Sequence, residues 1–211
     1  MARFTGRDLD CRRSERLVFR GLGFALGPGD ALVLVGPNGS GKSSLLRLMA
    51  GLMQPDGGDI QWEGVSIATD REAHGGRCHY VGHADAIKAV LTVGESVGLS
   101  AELRGVSGKV SAALDCFGLL SLADMPGKFL SAGQKRRAAL ARLLAAPAPL
   151  WLLDEPSLAL DRASVVALEA AIGRHRAGGG CAVIATHADL DLPGATELRV
   201  DEFKPVSAPA P

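Results

Sequence analysis

No charge of one sign dominates this chain: lysine and arginine total 23, and aspartate and glutamate total 23. Without a net field, bulk charge cannot select nucleic acid or an anionic lipid surface as its partner. Cysteine is scarce as well. Cys11, Cys78, Cys116 and Cys181 lie far apart with no C-x-x-C pair, and no charged segment followed by an apolar signal core opens the sequence. Both absences lead us to expect a reducing cytoplasm. Long hydrophobic runs are missing too. Stretches such as Ala31–Val35 and residues 150–153 fall far short of the roughly 20 residues that a helix needs to cross a bilayer, so any membrane role is expected to be peripheral. There is no internal repeat.

What is present is a core. A chain of 211 residues that is 47% hydrophobic can bury one sizeable domain, expected over residues 1–204. Apolar runs of strand length alternate with longer amphipathic stretches, the pattern of an α/β protein with a mostly parallel sheet. Strands are predicted at 4–10, 17–26 and Ala31–Val35, followed by a helix from Lys42 to about Met53 and a strand pair around 60–67. Helical spacing recurs at 93–103, 110–117 and Ala132–Ala145, before buried strands return at 150–153 and 182–185. Residues 205–211 are Pro-rich, apolar and aperiodic, and are predicted to be a disordered tail.

The most specific motif is Gly36-Pro37-Asn38-Gly39-Ser40-Gly41-Lys42-Ser43, a match to G-x-x-x-x-G-K-[ST] between a predicted strand and a predicted helix. Small residues let successive backbone N–H groups approach a phosphate, and the helix adds its positive end. Lys42 supplies a cation, and Ser43 a hydroxyl for Mg²⁺ bridging the β- and γ-phosphates of ATP; Ser44 continues the nucleotide-binding run. From average residue frequencies such a match arises by accident in a chain this long with a chance on the order of 1%.

The second motif is an apolar strand ending in two carboxylates, Leu150-Trp151-Leu152-Leu153-Asp154-Glu155-Pro156. At the carboxyl end of a strand, adjacent carboxylates point to opposite sides. Asp154 is assigned to Mg²⁺ and Glu155 to the attacking water. Carboxylates often mark strand-to-loop exits, so this pair draws its weight from the glycine-rich loop that precedes it.

Between these two stands Leu130-Ser131-Ala132-Gly133-Gln134, and here the chain resembles the ATP-binding cassette (ABC) ATPases, whose signature reads L-S-G-G-Q. Ala132 replaces the first glycine. Ser131 is suited to cap a helix running through Lys135, Arg136 and Arg137. The resemblance implies a P-loop NTPase fold of the ABC nucleotide-binding type: a mostly parallel core sheet, an antiparallel β subdomain and a helical signature subdomain over roughly 84–146. It also implies that the signature binds ATP held by a second copy of the chain, in a two-copy sandwich. Leu158-Ala159-Leu160-Asp161 matches the family's loop across that interface, although Asp161 equally suits a helix cap. His187, after the apolar strand Cys181–Ala185, matches the histidine that contacts the γ-phosphate. The implied activity is that of an ATPase, an ABC-type translocase, with ATP and Mg²⁺ as cofactors.

The sequence departs from the family twice. The family stacks an aromatic ring on adenine, whereas this chain reads Cys11-Arg12-Arg13-Ser14-Glu15-Arg16 and offers no ring there; an arginine of this segment, with Arg13 as the candidate, could lie flat on the base instead. Where the family keeps a glutamine in the loop that touches Mg²⁺ and the membrane subunit, this chain has His83, within Tyr80-Val81-Gly82-His83-Ala84-Asp85. The Gly-His pair, the lysine and Leu-Thr at 88–92, and the alanine-containing signature resemble the CcmA family, the haem-exporter ATPases of cytochrome c maturation. That resemblance implies an integral, CcmB-like membrane partner, further cytochrome c maturation membrane subunits, and a peripheral place on the cytoplasmic face of the bacterial inner membrane. No nucleic-acid partner is expected. ATP hydrolysis would then drive release of a haem-loaded periplasmic chaperone. A lone histidine offers no ligand set for haem or metal, so His83 is read as a coupling-loop residue. The alternatives are an ATPase serving another ABC exporter and a soluble, non-transport ABC ATPase; the latter would call for a tandem cassette or a long heptad insertion.

Overall fold

The computed structural model describes residues 2–14, 16–106 and 109–205. Two sheets share one protein. The first is antiparallel, with β1 (Phe4–Arg13) between β2 (Arg16–Leu26) and β4 (Gly57–Trp62), and β5 (Val65–Ser66) beyond β4. The second is parallel and holds β3 (Ala31–Val35), β6 (Cys78–Val81), β7 (Leu150–Asp154), β8 (Cys181–Ala185) and β9 (Thr196–Arg199) in the order β6-β7-β8-β3-β9. This mixture of a parallel and an antiparallel sheet is the architecture expected of the P-loop ABC fold. Residues 206–211, most of the expected tail, lie outside the described residues.

The parallel strands read as unbroken apolar runs because they are buried on both faces. Leu150, Leu152, Cys181 and Val183 face a core shared with the antiparallel sheet and with α1 (Lys42–Met49). Trp151, Leu153, Ala182 and Ile184 face a second core. That core is filled from α3 (Val93–Glu102), α4 (Val110–Cys116), α5 (Ala132–Ala145) and α6 (Arg162–Ala177). Three of these helices, α3 to α5, fall inside the stretch assigned to the signature subdomain. The four cysteines are free thiols, and burial pushes those of Cys78 and Cys181 up to about 11.

Several boundaries differ from the sequence reading. The first helix stops at Met49 rather than near Met53, because Gly51 takes φ 70° and closes the end: its N–H donates to Leu48 O at 3.0 Å, and Leu52 N–H to Arg47 O at 2.9 Å. This pair of bonds is a Schellman stop, which glycine makes without a Cβ penalty. The strand predicted at 4–10 runs on to Arg13, so Arg13 stands at a hairpin end rather than in an open segment. Periodicity did not anticipate α2 (Arg71–Arg77), β6 or β9.

Register then fixes where chemistry can occur. Leu34 and Asp154 both pair with Ala185, and Val35 pairs with Arg199, so the carboxyl ends of β3, β7, β8 and β9 form one rim. In open α/β sheets this rim is where ligands bind.

Candidate functional site

The loop leaving β3 reaches α1 through Gly41 at φ 108°, the helix N-cap. A side chain here would set its Cβ 2.7 Å from Val18 Cγ1 and 3.0 Å from Phe19 Cδ1, so only glycine closes the turn. Helix α1 has no side-chain cap bond and no acidic residue in its first turn. Its first N–H groups and its dipole are therefore available to an anion. Ser40 Oγ is buried without a partner beside them, a further donor awaiting an acceptor.

Lys42 is 7% exposed; its Nζ donates to Gly36 O at 2.6 Å and Pro37 O at 3.3 Å, and meets His187 Nε2 at 3.1 Å. Burial holds its pKa below the ordinary lysine value, opposed by the charges of Glu155, Asp154 and Asp201. An ammonium can only donate, so His187 Nε2 is the acceptor and the imidazole proton sits on Nδ1. The approach of that Nε2 to Glu155 Oε1, at 3.7 Å, is then a contact rather than an ion pair. Glu155 Oε2 accepts the His187 backbone N–H at 3.2 Å.

The two carboxylates at the end of β7 take different partners. Asp154 is buried, and Ser43 Oγ donates to its Oδ1 at 3.0 Å. This pair of hard oxygens fits Mg²⁺, which takes few protein ligands and completes its shell from phosphates and water. Glu155 turns away with φ 48°, a left-handed conformation rare outside glycine, its N–H bound to Ala185 O at 2.8 Å.

These groups open onto one cleft of about 1180 Å³. Asn38, Gly39, Ser40, Gly41, Lys42, Ser43 and Ser44 line it, together with Arg13, His83, Asp154, Glu155 and His187. His83, which the sequence reading assigned to the coupling loop, thus stands in the wall of the cleft. Arg16, Arg47 and Lys204 also line it, and sequence reasoning passed over them because each looks like an ordinary surface cation. Five cations face two carboxylates here, so a chain with no net charge holds a cleft suited to a polyanion.

The signature residues do not join this cleft. Ser131 caps α5 in a reciprocal box: its Oγ accepts Gln134 N–H at 3.2 Å, and Gln134 Oε1 accepts Ser131 N–H at 2.8 Å. The cap therefore already uses one of the N–H groups at the start of α5. Leu130 is buried, while Ala132 is exposed. Gly133 lies against the loop after β7; a Cβ there would come within 2.7 Å of Ala159 O. Leu158 lines the cleft, and Asp161 caps α6 by accepting Ser164 N–H at 2.8 Å.

The sequence reading also missed Arg136, which is 3% exposed and binds backbone on both sides of Glu155. A signal for it existed. Arg136, Ala139, Leu140 and Leu143 form the buried stripe of α5, and an arginine on such a stripe requires partners.

Comparison with known proteins identifies the family. The ABC transporter family profile matches residues 19–158, well over half of the chain. The Rhodospirillum rubrum cytochrome c biogenesis ATP-binding export protein CcmA is 61% identical over 96% of this chain and 87% of its own length. The protein of the same name from Paramagnetospirillum magneticum is 56% identical over 95% and 94%. Among solved structures, an ATP-binding subunit of an ABC transporter superimposes with a TM-score of 0.81 at 26% identity, covering 88% of this chain and 79% of its own. A Pyrococcus furiosus chain matches with a TM-score of 0.83 at 22% identity over 97% and 100%, a likeness of fold alone. Motif, cleft and relatives converge: the chain belongs to the ABC transporter family, as an ATP-binding subunit of the CcmA type.

Proposed function

We propose that this chain is the ATP-hydrolysing subunit of a haem-export complex for cytochrome c maturation. The observation that carries the reading is the pair of relatives, 61% and 56% identical over nearly the full chain, that bear a cytochrome c biogenesis name. Two copies close on two ATP molecules, each copy presenting Leu130 to Gln134 to the nucleotide on the other. The exclusion of those residues from the chain's own cleft supports this, since they are left with a capped helix start facing outward. A CcmB-like membrane subunit, with further cytochrome c maturation subunits, holds the pair at the cytoplasmic face of the inner membrane. No helix among the described residues is long and apolar enough to cross that membrane.

In the cleft, Lys42 leaves its carbonyl partners and His187 for the β- and γ-phosphates, and the N–H groups at the start of α1 hold the same oxygens. Arg13 is the candidate to lie on the base. Ser43 and Asp154 would hold Mg²⁺, whose chemistry is to neutralise charge on the transferring phosphoryl group. Glu155 takes a proton from the attacking water as the γ-phosphorus to bridging-oxygen bond breaks, leaving ADP and phosphate. His187 contacts the γ-phosphate and fixes Glu155 through its backbone N–H. Hydrolysis drives release of a haem-loaded periplasmic chaperone, with His83 in the loop that couples the cleft to the membrane subunit.

The test is a strain whose only copy carries Lys42→Ala. It is expected to lack c-type cytochromes in haem-stained membrane fractions while still accumulating the haem-loaded chaperone. Normal c-type cytochromes in that strain would remove the assignment to cytochrome maturation and favour another exporter, with the ATPase chemistry untouched.

A further inference from the structure

Arg136 is the most fully engaged side chain among the described residues. A guanidinium carries five N–H donors in a rigid plane, and here five acceptors surround it. Nε donates to Pro156 O at 3.2 Å. One terminal nitrogen, Nη1, donates to Gly82 O at 2.8 Å and to Asp85 Oδ1 at 3.0 Å. The other, Nη2, donates to Asp154 O at 2.5 Å and to Glu155 O at 2.6 Å. The Asp85 carboxylate also balances the charge, which a buried cation requires.

These acceptors come from two separate segments of the chain, residues 82–85 and 154–156. Three are consecutive carbonyls, at 154, 155 and 156, so the plane of the guanidinium sets the path of the chain through Glu155. That path is strained, with Glu155 at φ 48°, and strained residues persist only where their surroundings over-determine them. Here the surroundings are explicit. The Glu155 N–H is tied to β8 through Ala185 O, and its carbonyl is tied to α5 through Arg136. The remaining two acceptors, at Gly82 and Asp85, flank His83. Arg142, six residues further along the same helix, donates to Asp85 O at 3.0 Å and holds that loop a second time.

We propose that Arg136 is the positioning residue of the ATPase: it fixes Glu155 and the His83 loop to the signature helix as one unit, so that Glu155 reaches the attacking water only when α5 is correctly seated. Arg136 sits five residues after Ser131, so a tilt of α5 produced by nucleotide at its start would carry Glu155 and His83 together. Lysine could not substitute, since three donors on a point charge cannot span five acceptors in a plane. This inference rests on Glu155 as general base.

The experiment measures ATP hydrolysis by the full chain, with kcat and KM separated, beside equilibrium ATP binding, for Arg136→Lys, Glu155→Gln and the double variant. Arg136→Lys keeps the buried charge. It is expected to lower kcat by about 10- to 100-fold, the penalty for a misplaced catalytic group, while KM and ATP affinity stay within about threefold. In the Glu155→Gln background the same substitution is expected to cost little more, because residues that act through one another are not additive. A kcat within twofold of the unsubstituted chain overturns the proposal. So does a loss residing in ATP affinity, or one that multiplies fully in the double variant, which marks a merely structural role. Should Arg136→Lys fail to fold, Asp85→Asn decides: it loosens the guanidinium from outside, with kcat expected to fall severalfold at unchanged affinity, and an unchanged kcat overturning the idea. Wild-type hydrolysis by Glu155→Gln alone would instead sink the general-base reading.

Discussion

Lys42 and Glu155 line one cleft, and the different roles proposed for them should be separable by substitution. Lys42→Ala is expected to weaken ATP binding. Glu155→Gln keeps the hydrogen-bonding shape and removes the proposed base, so ATP should be retained while turnover falls by about 10²- to 10⁴-fold. Turnover and retained nucleotide can be measured on the same preparation; wild-type turnover in Glu155→Gln would identify a different base. Lys42, Ser43, Asp154 and Glu155 were legible in the sequence because each lies in a short contiguous pattern whose flanks dictate strand or helix. Arg136 showed only through its place on the apolar stripe of α5; its role was hidden because all but one of its acceptors are backbone carbonyls, which leave no trace in residue identity. His83 was found as a departure from a family pattern, but its place in the cleft wall depends on how the loop after β6 folds back.

Helix α5 was legible from end to end, since Ser131 and Gln134 form a capping box and an apolar stripe follows. Its start allows a graded test. Ser131→Ala removes the cap and should lower stability by about 1 kcal/mol in urea titrations, with ATP binding by the single chain unchanged. Ser131→Arg loses the same cap and adds bulk and charge. It should leave the chain folded and able to bind nucleotide yet abolish hydrolysis by the assembled pair, and full activity in Ser131→Arg would refute the two-copy sandwich. Elements that the sequence concealed have physical reasons for being concealed. Helix α2 contains Gly75 and Gly76, poor helix formers, and is held by the Asp70 cap and by buried His74, whose Nε2 meets Met49 O at 2.8 Å. Strand β9 reads Thr-Glu-Leu-Arg and is mostly exposed, an edge strand chosen by its neighbour β3 rather than by its own pattern.

For the molecule as a whole, two buried histidines, His74 and His79, and the half-buried His175 link stability to acidity. Burial drives His79 down to about 4, and it also lowers His74 and His175, the latter stacked on Trp151 with ring centroids 4.0 Å apart. Below the ordinary histidine value of about 6.5 the unfolded chain takes up protons that the folded chain refuses, so stability falls as the pH drops from there toward 4. His79 alone accounts for roughly 3 kcal/mol once the pH has passed below 4. Replacing it by glutamine should flatten the fall in urea midpoint between pH 7 and pH 4.5, and parallel curves for the two proteins would disprove the attribution. The sheet order has a consequence for how the protein is made. Strand β3, which launches the phosphate loop, pairs only with β8 and β9, and Lys42 meets His187 across 145 residues of sequence. At translation speeds of about 5–20 residues per second, that distance corresponds to roughly 7 to 30 s on the ribosome. Throughout that interval the nascent chain carries an apolar strand without its neighbours and a phosphate loop without its frame. It can neither bind ATP productively nor waste it until almost the last strand has emerged.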